Sequence, residues 1–109
     1  MAIKANIVID QGTTFQTSIN VTDENDEVVN LTGYSAAAQM RKHYTSSNAT
    51  SFSVSISPSL GIVTLSMTAN TTNTLVPGRY MYDCELTDTN GAVTRLVEGI
   101  VTVTPGVTR

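Results

Sequence analysis

Apolar residues recur at every second position over several short stretches, each bounded by Gly, Pro, Asn or Asp. Side chains on a strand point alternately to the two sides of a sheet, so this spacing predicts strands with one buried face. The cleanest alternation covers residues 13–22, with Phe15, Thr17, Ile19 and Val21 inward and Thr14, Gln16, Ser18 and Asn20 outward. Before it, residues 3–9 place Ile3, Ala5, Ile7 and Ile9 on one face and Lys4, Asn6 and Val8 on the other, ahead of a turn at residues 10–12. After an acidic turn at residues 23–27, Val28, Val29 and Leu31 lead into a second turn at Thr32 and Gly33, where glycine can supply a positive φ. Residues 34–42 form the next strand, with Tyr34, Ala36, Ala38 and Met40 together.

The second half reads similarly. Residues 43–51 are polar and aperiodic. Phe52, Val54 and Ile56 alternate with serines, a hairpin connection follows at residues 58–61, and Val63, Leu65 and Met67 share a face of the partner strand, residues 62–68. Residues 69–76 are ambiguous and have room for one helical turn. Over residues 79–87, Tyr80, Tyr82, Cys84 and Leu86 oppose Arg79, Met81, Asp83 and Glu85. Asp88, Asn90 and Gly91 predict a hairpin turn. In the last strand Ala92, Thr94 and Leu96 share one face but Val97, Val101 and Val103 lie on the other, a slip that a β-bulge at Glu98 and Gly99 would explain. Pro105 and Gly106 stop the strand, because proline has no N–H for the ladder. The expectation is an all-β, immunoglobulin-like β-sandwich of about seven to eight antiparallel strands over residues 1–104, with a short tail at 105–109. No long amphipathic helix, internal repeat or second domain is apparent.

A chain of 109 residues has room for one core. Only 14% of its residues are charged, and threonine and serine are abundant, so the polar faces are built largely from hydroxyls. The net charge of −3 argues against nucleic-acid binding, which needs a basic footprint. No apolar run approaches the ~18 residues that span a membrane, and the start of the chain lacks the apolar core of a signal peptide. The single cysteine, Cys84, excludes an internal disulfide. Synthesis in a cytoplasm is expected.

Residues that could carry chemistry are few. His43, beside Arg41 and Lys42, is the only histidine, and nothing in the sequence sets a nucleophile or further ligands next to it; an exposed loop residue is the expectation. Cys84 sits on an apolar face, as a core thiol would. Asp23, Glu24, Asp26 and Glu27 lack the turn glycine and distal glutamate of a calcium loop and read as a solvated turn. Asp83 and Glu85 are placed to pair with Arg79 or, across the hairpin, with Arg95. Four Asn-x-Thr triplets, beginning at Asn20, Asn30, Asn48 and Asn70, follow from a composition rich in both residues. Tyr34, Tyr80 and Tyr82 are expected in the core with their hydroxyls at an edge. Tyr44 and the adjoining loop 45–51 are the expected exposed contact surface.

The order of several short motifs is informative. Gln11, Gly12, Thr13 and Phe15 open a strand; Val29, Asn30, Leu31, Thr32, Gly33 and Tyr34 make a turn into the next; Gln39, Met40, Arg41 and Lys42 end it on basic residues. Gly78, Tyr80, Tyr82 and Asp83 begin a later strand, and Glu98 to Arg109 closes the chain. This series resembles a family of tailed-bacteriophage structural modules, among them the N-terminal domain of phage baseplate upper proteins. The resemblance implies an immunoglobulin-like virion part without catalytic residues. In the multidomain baseplate proteins a receptor-facing region follows the module, whereas here the sequence stops at Arg109 and reads as a free-standing accessory.

The function expected on this basis is non-enzymatic: a virion structural protein made in the host cytoplasm, in capsid decoration or cement, or else in the tail, neck or baseplate. Its partners would be other virion proteins and further copies of itself, with no cofactor, nucleic acid or membrane. The contact candidates are His43, Tyr44 and Thr45 in the loop and Pro105, Val107 and Arg109 in the tail. A carbohydrate-binding or adhesion module built on Tyr44 and the Asn/Thr-rich loops is the alternative; it lacks Trp and a clear aromatic platform. A hydrolase or metal enzyme is the poorest reading.

Overall fold

The protein is described by a computed structural model covering residues 3–23, 25–43 and 49–107. It is an all-β structure of two sheets. Nine strands are present among the described residues: β1 (Ile3–Lys4), β2 (Ile7–Asp10), β3 (Phe15–Asn20), β4 (Ser35–Arg41), β5 (Thr50–Ser51), β6 (Ser53–Ser57), β7 (Ile62–Met67), β8 (Gly78–Thr87) and β9 (Val93–Thr104). The larger sheet runs β1-β9-β8-β4-β5, with β2 also on β9; the smaller runs β3-β7-β6. A short helix, α1 (Ala69–Asn73), joins β7 to the segment before β8. It begins where Thr68 accepts a hydrogen bond from the Thr71 amide at 3.3 Å, satisfying one donor that a helix start leaves open.

The inward faces are those the alternation predicts. Val63, Leu65 and Met67 on β7 are buried, as are Ala38 and Met40 on β4 and Tyr82, Cys84 and Leu86 on β8. Phe15, Thr17 and Ile19 of β3 point the same way but remain half-buried, while Gln16, Ser18 and Asn20 are exposed. Phe52 crosses between the layers. Its ring centroid lies 6.1 Å from that of Phe15 on the small sheet and 6.1 Å from that of Tyr82 on the large one, in tilted and edge-on geometries that aromatic pairs favour.

Three expectations are corrected. The strands are not all antiparallel, because β1 and β2 run parallel to β9, pairing Lys4 with Glu98 and Ile9 with Val103. Alternation along one strand carries no information about the direction of its neighbour. The predicted first strand is also interrupted, at Ala5 and Asn6. There the Ala5 amide donates to Glu98 O at 2.9 Å, and the Asn6 side chain takes the Ile100 amide at 3.1 Å. Finally, the bulge lies at Leu96 rather than at Glu98 and Gly99. Cys84 faces Val97 while Glu85 faces Arg95, leaving Leu96 as the extra residue, and Leu96 and Val97 are consequently both buried.

Gly99 has a different task. It pairs with Tyr82, whose hydroxyl reaches across it to donate to Ala5 O at 2.7 Å. A β-carbon on Gly99 would collide with that same carbonyl. Gly91, in the β8–β9 turn, makes the opposite case: its φ is +86°, but nothing lies within 4 Å of an added β-carbon. The turn is held by Asp88, whose carboxylate accepts from the amides of Asn90 and Ala92, both at 2.9 Å. Only Gly91, not Asn90, takes the left-handed conformation. Gly99→Ala is therefore expected to cost about 2 kcal/mol or more, since backbone must move. Gly91→Ala should cost about 1 kcal/mol for its dihedral alone. Urea unfolding of the two variants checks the order.

Candidate functional site

The strand register sorts the outward side chains into two contrasting faces. On the small sheet, β3, β7 and β6 present rows of Gln16, Ser66 and Ser53, then Ser18, Thr64 and Ser55, then Asn20, Ile62 and Ser57. None of the nine is charged. Ser18 and Thr64 hydroxyls join across the ladder at 3.2 Å. On the large sheet, Lys4 lies beside Glu98, Glu98 beside Asp83, and Asp83 beside Gln39, while Ile100, Met81 and Arg41 form the adjoining row. Lys4, Arg41, Arg79 and Arg95 put four of the chain's six Lys and Arg residues on this face or its border.

The charged face is concave, with an open trough of about 500 Å³. Lys4, Asn6 and Arg41 line it together with Met81 and Ile100. Arg95 is held by two acids, Asp83 at 3.4 Å and Glu98 at 3.3 Å. The hydrogen bond to Glu98, then the Asp83 charge, raise the Arg95 pKa above its ordinary value. The expected pairing of Arg95 with Asp83 is thus present; the bulge at Leu96 brings Glu98 in as a second partner. These carboxylates are engaged with a guanidinium, and the trough is lined by groups that can receive polar or charged partners.

The sequence-predicted contact residues lie elsewhere. The end of β4, the start of β8 and the end of β9 meet at one end of the fold. His43 is exposed there, next to Lys42, whose ammonium lies 5.0 Å from the Tyr80 ring centre. The tail leaves from the same end. Gln11 straps it down: its amide donates to Thr104 O at 2.9 Å, its side-chain carbonyl accepts from the Gly106 amide at 3.0 Å, and its side-chain NH₂ donates to Leu75 O at 2.9 Å. Pro105 is exposed, and Val107 almost completely so. Tyr44, Thr45 and Arg109 lie outside the described residues. Of the candidates, His43, Pro105 and Val107 therefore share an end of the fold, whereas the trough, which the sequence did not signal, is assembled from four strands.

The other candidate groups serve the structure. Asp23 accepts from the amides of Asn25 at 2.8 Å and Glu27 at 3.1 Å, closing the acidic turn. Among the described residues, no group of three His, Cys, Asp or Glu side chains is placed to hold a metal. Thr72, fully buried, ties α1 to the turn before β3, donating to Thr13 O at 2.7 Å and accepting from the Gly12 amide at 3.1 Å. Tyr80 donates to Val76 O at 2.6 Å. Cys84 is fully buried; burial first, then the Asp83 and Glu85 charges, push its thiol from 9.0 up to about 11. Burial and then Cys84 likewise push Tyr82 from 10.0 up to about 12. Comparison of the chain with models of known protein families and with curated proteins returns no match.

Two expectations follow. Thr72→Val leaves the Gly12 amide and Thr13 carbonyl without their partner and should cost about 2 kcal/mol in chemical unfolding. Between pH 9 and 11 the folded chain keeps a Cys84 proton that the unfolded chain has released. The associated stability is complete below pH 9 and is lost as the pH rises through 11, with Tyr82 extending the decline. Unfolding midpoints measured from neutral to alkaline pH should therefore fall only on the alkaline side, and thiol reagents should label Cys84 only on unfolding.

Proposed function

We propose that this protein is a non-enzymatic structural component of a bacteriophage particle, an immunoglobulin-like module acting through its surfaces as a capsid decoration or cement protein. The observation that carries the reading is the structural use of the residues in the phage-like motifs. Gln11 straps the tail and the α1 segment together, and Gly12, with φ +83°, donates to Thr72. Phe15 packs on Phe52. Asn30 accepts from the Thr32 amide and hydroxyl, leaving Leu31 fully buried and Gly33 at φ +83°. These are the requirements of a scaffold.

The immunoglobulin-like reading draws on the topology. Three strands, β3-β7-β6, face a sheet in which the last two long strands, β9 and β8, lie between the first strands and β4. The hydrogen bond from Tyr80, near the start of β8, to a carbonyl four residues upstream is the kind that marks the corner before the penultimate strand in that fold. Decoration of a shell is favoured over a tail position by the neutral hydroxyl-rich face, which can pack at high copy number with little self-repulsion.

The test is a cryo-EM map, with proteomics, of the particle whose genome encodes the chain. Density between or upon the major shell subunits is expected, and particles lacking the chain should release their genome at a lower temperature. Absence of the chain from purified particles would refute the virion reading; density confined to the neck, tail or baseplate would refute decoration.

A further inference from the structure

The β3 edge is open. The first strands pair with β9 on the large sheet, so β7 is the only neighbour of β3 among the described residues. Which backbone groups face the open side follows from the register. The Val21 amide donates to Gly61 O at 2.7 Å, so the odd-numbered residues of this segment bond toward β7. Gln16, Ser18 and Asn20 then direct their N–H and C=O groups to the open side. The neighbouring segments leave it clear: Thr72 holds the chain at Thr13, before the strand, and Val29 bonds to Val21 O, after it.

Natural sheets protect such edges with charge, proline or a bulge. Strand β3 has none of these. The other edges are less suited to pairing. The β1–β2 edge is interrupted at Ala5 and Asn6, β5 has two residues, and the start of β6 is tied to the other sheet through the Phe52 amide and Ala38 O.

We propose that β3 pairs antiparallel with β3 of a second copy about a two-fold axis through Ser18. This register places Ser18 opposite Ser18, and Gln16 opposite Asn20, on both sides of the axis. All three residues then exchange N–H and C=O groups with the partner copy, giving six hydrogen bonds and leaving none of the outward-facing backbone groups of the strand unused. The side chains agree with this arrangement. The outer row sets amide against amide and hydroxyl against hydroxyl, with no like charges to oppose. The inner row covers Phe15 and Ile19, which stay half-buried in the single chain although their β7 partners are buried. An isologous contact needs a self-complementary surface, which an uncharged strand meeting its own copy supplies. The small size of the interface predicts reversible association, with a dissociation constant on the order of micromolar. The inference follows from sheet topology and is independent of the virion proposal.

Light scattering and sedimentation of the full chain across a concentration series test it. A monomer–dimer equilibrium is expected. Ser18→Pro removes one donor directed to the open side per copy from the interface but none from the β7 ladder, so it should keep the far-ultraviolet circular dichroism and weaken the dimer roughly thirty-fold. Ser18→Lys, which retains the backbone donor, serves as the second variant and should also weaken it by like-charge repulsion. Under mild oxidation Ser18→Cys should form a covalent dimer, whereas Gln16→Cys alone should not. A wild-type chain that stays monomeric at NMR concentrations would overturn the proposal. So would a dimer unaffected by Ser18→Lys, or a disulfide formed through Gln16→Cys and not through Ser18→Cys.

Discussion

The contact on which the rest of the structure depends is the close approach of the first strands to β9 at Ala5 and Gly99. Lys4 and Ile7 can both lie against β9 in one register only if the backbone between them passes directly beside Gly99. A side chain at that position would hold the strand away. With none there, Tyr82 spans the gap and its hydroxyl takes the Ala5 carbonyl, satisfying at once a buried phenol and a backbone acceptor that β9 does not use. The pinch thus joins three neighbouring strands of the large sheet through one polar contact in an otherwise apolar layer.

Sending the first strands to β9 has consequences at three places. It brings Lys4 beside Glu98, so that the charged trough gains its fourth wall. It carries Gln11 past the end of β9, where it can hold the tail at Thr104 and Gly106. It also withholds a partner from β3, whose outward-facing backbone is left to solvent or to another chain. One decision about pairing therefore determines the composition of the charged face, the path of the tail and the open, uncharged β3 edge.

That decision was the least legible part of the sequence. Alternation in residues 15–20, 35–41 and 62–67 specifies which side chains go inward, because a one-residue slip would expose the whole apolar set. It is silent about neighbours, since parallel and antiparallel strands show the same period. Gly99 was visible as an irregularity, but a glycine within a strand signals either a bulge or a close backbone approach. The nearby slip in apolar pattern favoured the bulge, which belongs instead to Leu96, where two successive apolar residues are both buried. The pairing of Arg95 with Asp83 was legible from the hairpin. The trough was not, because Lys4 and Arg41 reach it from strands far apart in sequence.

Charge is distributed in a way that separates the roles of the two faces. The large sheet concentrates the basic residues and neutralises part of that charge internally, through Arg95 with its two acids. The small sheet carries hydroxyls and amides at eight of its nine outward ladder positions, with Ile62 the ninth. A charged, concave face can discriminate among partners, since a mismatched charge there loses solvation without compensation. A neutral, hydroxyl-rich face discriminates poorly by charge but tolerates close packing of like molecules. On the proposed role in a particle built of repeated copies, the division would suit self-association through the small sheet and recognition of a different protein through the large one. Between the two faces, Cys84 is sealed in the core and the Tyr82 hydroxyl is committed to Ala5.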